Sequence, residues 1–160
     1  MNENYAELMT TFPLLQGFTS NGTKRLLEAG EVVDHERGNG LMAEGDNSDF
    51  VLLVLSGNLE VFVKRDGQDF VLTEAGPGTI LGELAMLCGI PRSASVRAKE
   101  RSTVLQWSDE VFRGLLLRDP SLSQRIFREA LRTLVEKERS LIESVIDAQA
   151  ESHKSYSADN

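Results

Sequence analysis

The segment from Leu81 to Ala98 contains the residues of this sequence that are best suited to bind a charged ligand. Gly82 predicts a bend that begins a short helix over Glu83–Leu87. The first N–H groups of a helix have no acceptor inside it, so those of Leu84 and Ala85 are open to an anion. The partial positive charge at the start of the helix favours the same ligand.

Two side chains extend this pattern. Arg92 follows Glu83 by nine residues and can return to the same place, where its planar guanidinium offers phosphate two parallel hydrogen bonds. Ser93 adds a hydroxyl donor beside it. Glu83 would repel phosphate and is better suited to accept hydrogen bonds from sugar hydroxyls. Taken alone, the pattern also fits a glutamate that compensates the helix dipole and an arginine in an ordinary ion pair.

The middle of the chain, from Glu31 to about Trp107, has the pattern of β-structure. Short apolar or β-branched runs are separated by turn signals such as Asp66-Gly67, which is typical of a roll or barrel. The predicted strands are Val32-Val33, Phe50–Leu55, Leu59–Val63, Phe70–Leu72, Ser95–Ala98 and Val104–Trp107. The predicted fold class is therefore mainly β with flanking helices (α+β), a roll or barrel that would position the segment from Leu81 to Ala98.

Helices are predicted on both sides of the strands. Two short helices fit within residues 4–29. After the last strand, Ser108 can cap another short helix, and Asp119-Pro120 supplies the N-cap and first residue of a long one. The sequence thus predicts one domain over residues 1–150, which includes the long helix, and a polar flexible tail over residues 151–160.

The long C-terminal helix carries apolar side chains at heptad spacing. They are Phe127, Leu131, Leu134, Leu141, Val145 and Ala148. Glu138 is the polar interruption of this seam. The helix could pack on its own domain, but at about 45 Å it is too long to pack only on a small β-roll. The seam therefore favours a homodimer through this helix.

Composition narrows the class of protein. A chain of 160 residues with 41% hydrophobic residues is one globular domain. Its net charge of −8 argues against a broad DNA-binding face. The longest apolar run, Phe50–Leu55, is too short to cross a bilayer, and the N-terminus has no secretory pattern. We therefore expect a cytoplasmic protein without a membrane segment.

The reactive residue types are sparse. Cys88 is the single cysteine, which excludes an internal disulfide, and we expect it to be a small buried apolar side chain. His35 and His153 lack ligand-spaced neighbours, so no metal site is predicted. No Ser/His/acid or Cys/His set stands out. The sequence therefore predicts no catalytic residues, no cofactor and a non-enzymatic protein.

The stretch GELAMLCGIPRSASVRA closely resembles the phosphate-binding cassette of the cyclic-nucleotide-binding domain family. That family includes the regulatory subunits of cAMP-dependent protein kinase, cGMP-dependent kinases, cyclic-nucleotide-gated channels and the bacterial catabolite activator protein. The matching positions are Gly82, Glu83, Leu84, Ala85, Pro91, Arg92, Ala94, Val96 and Ala98. With the flanking turns, the resemblance extends from Phe12 to Ala148. It implies a β-roll or jelly roll with a short N-terminal helical segment, a phosphate-binding helix and a long C-terminal helix.

The resemblance implies a role for each matching residue of the cassette. Arg92 would pair with the cyclic phosphate, and Glu83 would bind the ribose 2′-hydroxyl. Gly82, Leu84 and Ala85 would allow the backbone to approach the ligand closely.

The residues that would read the base are less sharply defined. Ser93 resembles the hydroxyl residue that touches phosphate or guanine in some relatives, so it does not separate cAMP from cGMP. Counting onward from Arg92 puts Lys137 and Glu138 where polar residues of the long helix contact the base in the catabolite activator protein. Glu138 is equally consistent with a buried polar residue that sets the register of the seam.

The function that this resemblance implies is a cAMP or cGMP sensor in signal transduction, which acts by ligand-dependent repositioning of helices. One alternative is an interaction module of the same fold that needs no nucleotide, although the retention of Glu83 and Arg92 disfavours it. A sensor of cyclic di-GMP is another.

The expected partners are a cyclic nucleotide and a second copy of the chain, and a protein effector is a further candidate. Only about a dozen residues follow Gln149, too few for a helix-turn-helix, so direct DNA binding is not expected. Both a free-standing sensor and a piece of a longer protein fit the sequence.

Overall fold

The computed structural model describes the backbone of residues 2–158 and the side chains of residues 4–154 and 156. The helices are α1 (Asn2–Thr10), α2 (Ser20–Ala29), α3 (Glu83–Cys88), α4 (Asp109–Arg118) and α5 (Pro120–Ala158), with a 3-10 turn at Pro13–Leu15. The strands are β1 (Glu31–His35), β2 (Gly40–Met42), β3 (Phe50–Ser56), β4 (Leu59–Arg65), β5 (Gln68–Ala75), β6 (Ile80–Leu81), β7 (Ser95–Ala98) and β8 (Ser102–Ser108).

The eight strands form two antiparallel sheets of four. Their orders are β1-β8-β3-β6 and β2-β7-β4-β5. This confirms the predicted jelly roll with flanking helices, and each of the six predicted runs lies within a strand. β2 was not predicted because it has only three residues, begins with a glycine and is held by pairing with β7.

β3 explains why the longest apolar run of the chain is a strand. Successive side chains of a strand point to opposite faces, and both faces of β3 are covered. Val51, Leu53 and Leu55 pack in a cluster with side chains of the helices. Leu52 and Val54 pack in a second cluster with β4, β5, β7 and β8. A strand that is buried on both faces has no reason to alternate with polar residues.

Local signals set the starts of the two C-terminal helices. The Ser108 hydroxyl accepts a hydrogen bond from the Val111 amide at 3.2 Å, and the Asp119 carboxylate accepts one from the Leu122 amide at 3.0 Å. Both predicted N-caps are therefore confirmed. α5 continues to Ala158, past the predicted start of a flexible tail, because the polar residues after Gln149 include no glycine or proline that would end a helix.

The chain forms two compact units. The first ends at Ile126, and the second begins at Phe127 and contains the rest of α5. On the second unit the larger apolar side chains of the heptad seam are between 45% and 67% exposed. None of the described helices is both long and apolar enough to cross a membrane.

Candidate functional site

α3 and its two flanking glycines form the core of the candidate site. Gly82 has left-handed backbone angles (φ 88°, ψ −5°) and precedes the helix, and Gly89 (φ 64°) ends it. The amide of Met86 donates to the Gly82 carbonyl at 3.4 Å. The amides of Leu84 and Ala85 therefore belong to the first turn, which has no acceptor within the helix.

Arg92 lies beside this turn, as the sequence predicts, and it is buried. Arg92 as a whole is 5% exposed. Nη2 donates to the Phe50 carbonyl at 2.7 Å, and Nη1 donates to the Gly82 carbonyl at 3.3 Å. Nη2 also lies 3.3 Å from a carboxylate oxygen of Asp49, whose side chain is 77% exposed. The guanidinium is thus held by two fixed carbonyls and one exposed acid.

The loop formed by residues 43–49, which we call the β2–β3 loop, also holds the main chain of Arg92. The Gly45 amide donates to the Arg92 carbonyl at 2.9 Å, and the Arg92 amide donates to the Asp46 carbonyl at 2.8 Å. Because the loop leads directly to Asp49 and Phe50, one segment positions both the backbone and the side chain of Arg92.

Apolar side chains border the charged group. The Phe50 ring centroid lies 5.1 Å from the Arg92 guanidinium carbon. Met42 lies so close that its terminal methyl carbon would be 2.9 Å from a Cβ at Gly82. Both residues pack against the second cluster, which contains Leu52 and Val54. An anion that carries a flat ring could therefore meet a cation and an apolar surface together.

Glu83 is the first residue of α3 and is buried, at 5% exposed. An acid in the first turn of a helix is stabilised by the helix dipole. Its neighbour Gly82 is in contact with Arg92, so the structure brings the two charged residues of the predicted cassette to the same end of α3.

The remaining predicted residues are placed differently. Ser93 follows Arg92 and is exposed. Lys137 and Glu138 are exposed residues of the second unit, so their contact with a base stays a prediction. The expectation that Cys88 is buried is wrong: it is exposed, because the buried face of α3 is formed by Glu83, Ala85 and Met86.

Sequence reasoning missed Asp49 and Phe50, which supply an anionic partner and a carbonyl to Arg92. They lie more than 40 residues before it. The Gly45-Asp46 turn marked the neighbourhood, but no local spacing indicates that this loop folds back on Arg92. Among the described residues, no three His, Cys, Asp or Glu side chains form a group that could hold a metal ion.

An ion pair between Glu44 and Arg65 joins the β2–β3 loop to a neighbouring strand. The Arg65 guanidinium donates to the two carboxylate oxygens of Glu44 at 2.8 and 3.0 Å. These hydrogen bonds hold the pKa of the Glu44 carboxyl below its usual value. The pair joins the end of β4 to the loop that contacts Arg92.

Comparison with known proteins agrees with this geometry. The pattern of the cyclic nucleotide-binding domain family matches residues 26–119. The CRP-like cAMP-activated global transcriptional regulator of Mycobacterium tuberculosis is 25% identical over 129 residues, which are 80% of this chain and 58% of the regulator. The chain therefore spans a little over half the length of this curated relative.

Solved structures agree as well. The catabolite activator protein of Thermus thermophilus superposes with a TM-score of 0.74 at 28% identity, covering 81% of this chain and 61% of that one. The regulatory domain of Toxoplasma gondii PKA, crystallised with cAMP, gives a TM-score of 0.61 at 25% identity, covering 71% and 43%. These relatives are regulatory proteins. Since the family pattern covers more than half of its length, this chain belongs to the cyclic nucleotide-binding domain family.

Proposed function

We propose that this domain is a non-enzymatic sensor that binds cAMP or cGMP and holds the cyclic phosphate at Arg92. The observation that carries the proposal is the burial of Arg92 with an exposed, replaceable counter-charge. A buried guanidinium is tolerated only when it is hydrogen-bonded and paired with an anion. The Phe50 and Gly82 carbonyls fix its plane, while Asp49 supplies the negative charge from a side chain that is largely in water.

A cyclic phosphate fits the same requirement. It carries one negative charge and two free oxygens, which match the guanidinium better than one carboxylate oxygen at 3.3 Å. The amides of Leu84 and Ala85 add neutral donors at the start of α3. Phosphate binding would therefore release Asp49 to solvent at little cost.

The sugar and the base are assigned to neighbouring groups. Glu83 accepts a hydrogen bond from the ribose 2′-hydroxyl, because a carboxylate can bind a hydroxyl donor but repels a phosphate. Ser93 can add a donor to phosphate or guanine. Phe50 and Met42 offer an apolar surface for the ring, and Glu138 is the candidate polar contact from α5.

The structural change caused by ligand binding is proposed to pass from α3 to the C-terminal helices. The Arg113 guanidinium of α4 donates to the Met86 carbonyl at 3.2 Å, which links the last turn of α3 to α4. A shift of α3 on binding phosphate would disturb this bond. The exposed seam of α5 is proposed to form a homodimer that responds to this shift, in a cytoplasmic protein with a protein effector as a further partner.

The second candidate is an interaction module that needs no nucleotide. The observation in its favour is that the protein itself offers Arg92 hydrogen-bond acceptors, the carbonyls of Gly82 and Phe50 and the carboxylate of Asp49. A protein that never binds phosphate could keep Arg92 solely to join the β2–β3 loop to α3.

Calorimetric titration separates these functions. The wild-type protein is titrated with cAMP, cGMP and cyclic di-GMP, and Arg92→Gln and Arg92→Lys are titrated in parallel, with thermal unfolding as a check on folding. We expect cAMP or cGMP to bind, and Arg92→Gln to lose about 2–5 kcal/mol of binding free energy as a charged pair is broken. Arg92→Lys keeps the charge and should retain part of the affinity.

Failure of the wild type to bind either mononucleotide would overturn the proposal. In that case binding of cyclic di-GMP points to a different nucleotide sensor, and no binding at all points to the interaction module. Unchanged affinity of a folded Arg92→Gln variant would remove Arg92 from the site.

A further inference from the structure

We infer that Arg65 and Glu44 form a clamp that positions Arg92 for ligand binding, with Arg65 acting as a positioning residue. This inference rests on the proposed function, because it concerns the same phosphate site. The clamp acts through the β2–β3 loop and requires no contact between Arg65 and the ligand.

The pair has the geometry of a strong ion pair. Nη2 and Nη1 of Arg65 lie 2.8 and 3.0 Å from the two carboxylate oxygens of Glu44. Nη1 also donates to the carbonyl of Lys64 at 2.7 Å, which orients the guanidinium before it meets the acid. Exposed ion pairs usually contribute little, and the exception is this bidentate arrangement with a pre-oriented arginine.

The loop that is clamped reaches Arg92 from two directions. Immediately after Glu44, Gly45 and Asp46 exchange two main-chain hydrogen bonds with Arg92. A few residues later, Asp49 and Phe50 meet the guanidinium. A displacement of the loop would therefore move both the backbone and the side chain of Arg92.

The far end of this loop is held by α4, where the Asp109 amide donates to the Asp49 carbonyl at 3.0 Å and the Asp109 carboxylate accepts from the Ser48 hydroxyl at 3.0 Å. Glu44 lies at the start of the loop. The loop lies between β2 and β3, outside the strand ladders, where the backbone is generally more mobile than in a sheet.

The Glu44 amide donates to the Ser95 hydroxyl at 2.9 Å. Arg65 adds the anchor from the end of β4, where it lies opposite Gln68 of β5 and beyond the last residue of β4 that pairs with β7, Phe62. The clamp thus joins the loop to the end of the β4–β5 hairpin.

Titration of Arg65→Ala with cAMP and with cGMP tests the clamp. The matched control is Lys99→Ala, which breaks another exposed ion pair of the same sheet, with Glu74, away from the loop. We expect the dissociation constant to rise about 3- to 10-fold for Arg65→Ala and to change less than about twofold for Lys99→Ala. Equal weakening by both variants would overturn the clamp.

The reversed pair distinguishes positioning from direct contact. The double variant Glu44→Arg/Arg65→Glu restores the pairing with opposite polarity, and we expect it to recover affinity to within about threefold of wild type. If Arg65 touched the phosphate itself, the reversed pair would bind as weakly as Arg65→Ala or more weakly, and the positioning role would be wrong.

A measurement without ligand keeps the clamp testable if the proposed function fails. Amide hydrogen exchange at Gly45 and Arg92 reports the two main-chain bonds between the loop and Arg92. We expect exchange at both amides to be at least about threefold faster in Arg65→Ala than in wild type or Lys99→Ala. Unchanged exchange would refute the clamp, whether or not the protein binds a nucleotide.

Discussion

Gly82 and Arg92 are packed so closely that a side chain at Gly82 would displace the guanidinium. A Cβ at Gly82 would lie 2.5 Å from Nη1 of Arg92 and 3.1 Å from the carbonyl oxygen of Phe50. The left-handed φ of 88° adds a second penalty for any other residue. Glycine is therefore required here both for the turn and for the position of the arginine.

Gly82→Ala should lower both stability and ligand affinity. The left-handed backbone costs about 1–2 kcal/mol of stability. Displacement of the guanidinium should weaken cAMP or cGMP binding about tenfold, which is the effect of losing one hydrogen bond to a charged group. Thermal unfolding and calorimetry measure the two effects.

Gly89→Ala is the matched control for Gly82→Ala. Gly89 also has a left-handed φ and ends the same helix, but a Cβ there meets no atom within 4 Å. We expect it to lose stability with little loss of affinity. Similar affinity losses in the two variants would show that strain in α3, and not the contact with Arg92, governs binding.

The assignment of the sugar to Glu83 is tested by removing one hydroxyl from the ligand. The 2′-deoxy form of the cyclic nucleotide should bind wild type about 10- to 100-fold more weakly, because a hydrogen bond to a charged group is lost. Glu83→Gln keeps the shape but removes the charge, so this difference should shrink. Equal affinity of wild type for the two ligands would contradict the role of Glu83.

We expect three surface ion pairs to make the stability of the domain depend on pH. In each, a hydrogen bond from the basic side chain holds the pKa of the acid below its ordinary value, which is 4.5 for Glu and 3.8 for Asp. The pairs are Glu44 with Arg65, Glu74 with Lys99 and Asp69 with Arg97. A lowered pKa in the folded state means that the unfolded chain takes up protons first.

These pairs therefore contribute fully to the free energy of unfolding above about pH 5. The contribution is lost as the pH falls through the ordinary pKa values of Glu and Asp, 4.5 and 3.8, toward the lower values of the folded state. Melting temperatures from pH 6 to pH 3 should fall less steeply for the triple variant Glu44→Gln/Asp69→Asn/Glu74→Gln than for wild type. Parallel curves would mean that other carboxylates control acid unfolding.

The α5 seam predicts a dimer that should dissociate when a charged residue is substituted into the seam. Leu141 is 67% exposed in the single chain, and burying a leucine contributes about 1.5–3 kcal/mol. Leu141→Asp should therefore give a monomer by sedimentation. Ser140→Asp adds the same charge at the neighbouring position outside the seam and should leave the dimer intact. A wild-type monomer at high concentration, with and without cyclic nucleotide, would exclude the seam.

Glu138 is the expected point of coupling between ligand and seam. Its charge would lie among the apolar residues of the paired helices, where burial without a partner is costly. Glu138→Leu should give a tighter dimer whose dissociation depends less on cyclic nucleotide. If the dimer of this variant responds to the ligand as wild type does, Glu138 takes no part in the coupling.

Much of the architecture could be predicted from the sequence because it depends on short-range physics. The alternation of apolar runs and turns predicts most of the strands, and the side chains of Ser108 and Asp119 cap the helices that follow them. Gly82 begins α3 because only glycine readily takes the backbone angles of that turn. Each of these depends on neighbours within a few residues.

The surroundings of Arg92 were decided by the tertiary structure. The sequence alone predicted that Arg92 lies near α3, but its contacts with Asp49, Phe50 and the β2–β3 loop join segments more than 40 residues apart. Long-range contacts of this kind depend on how the two sheets pack, and no local spacing encodes them. The same holds for β2, which is a strand because β7 supplies its hydrogen-bond partners.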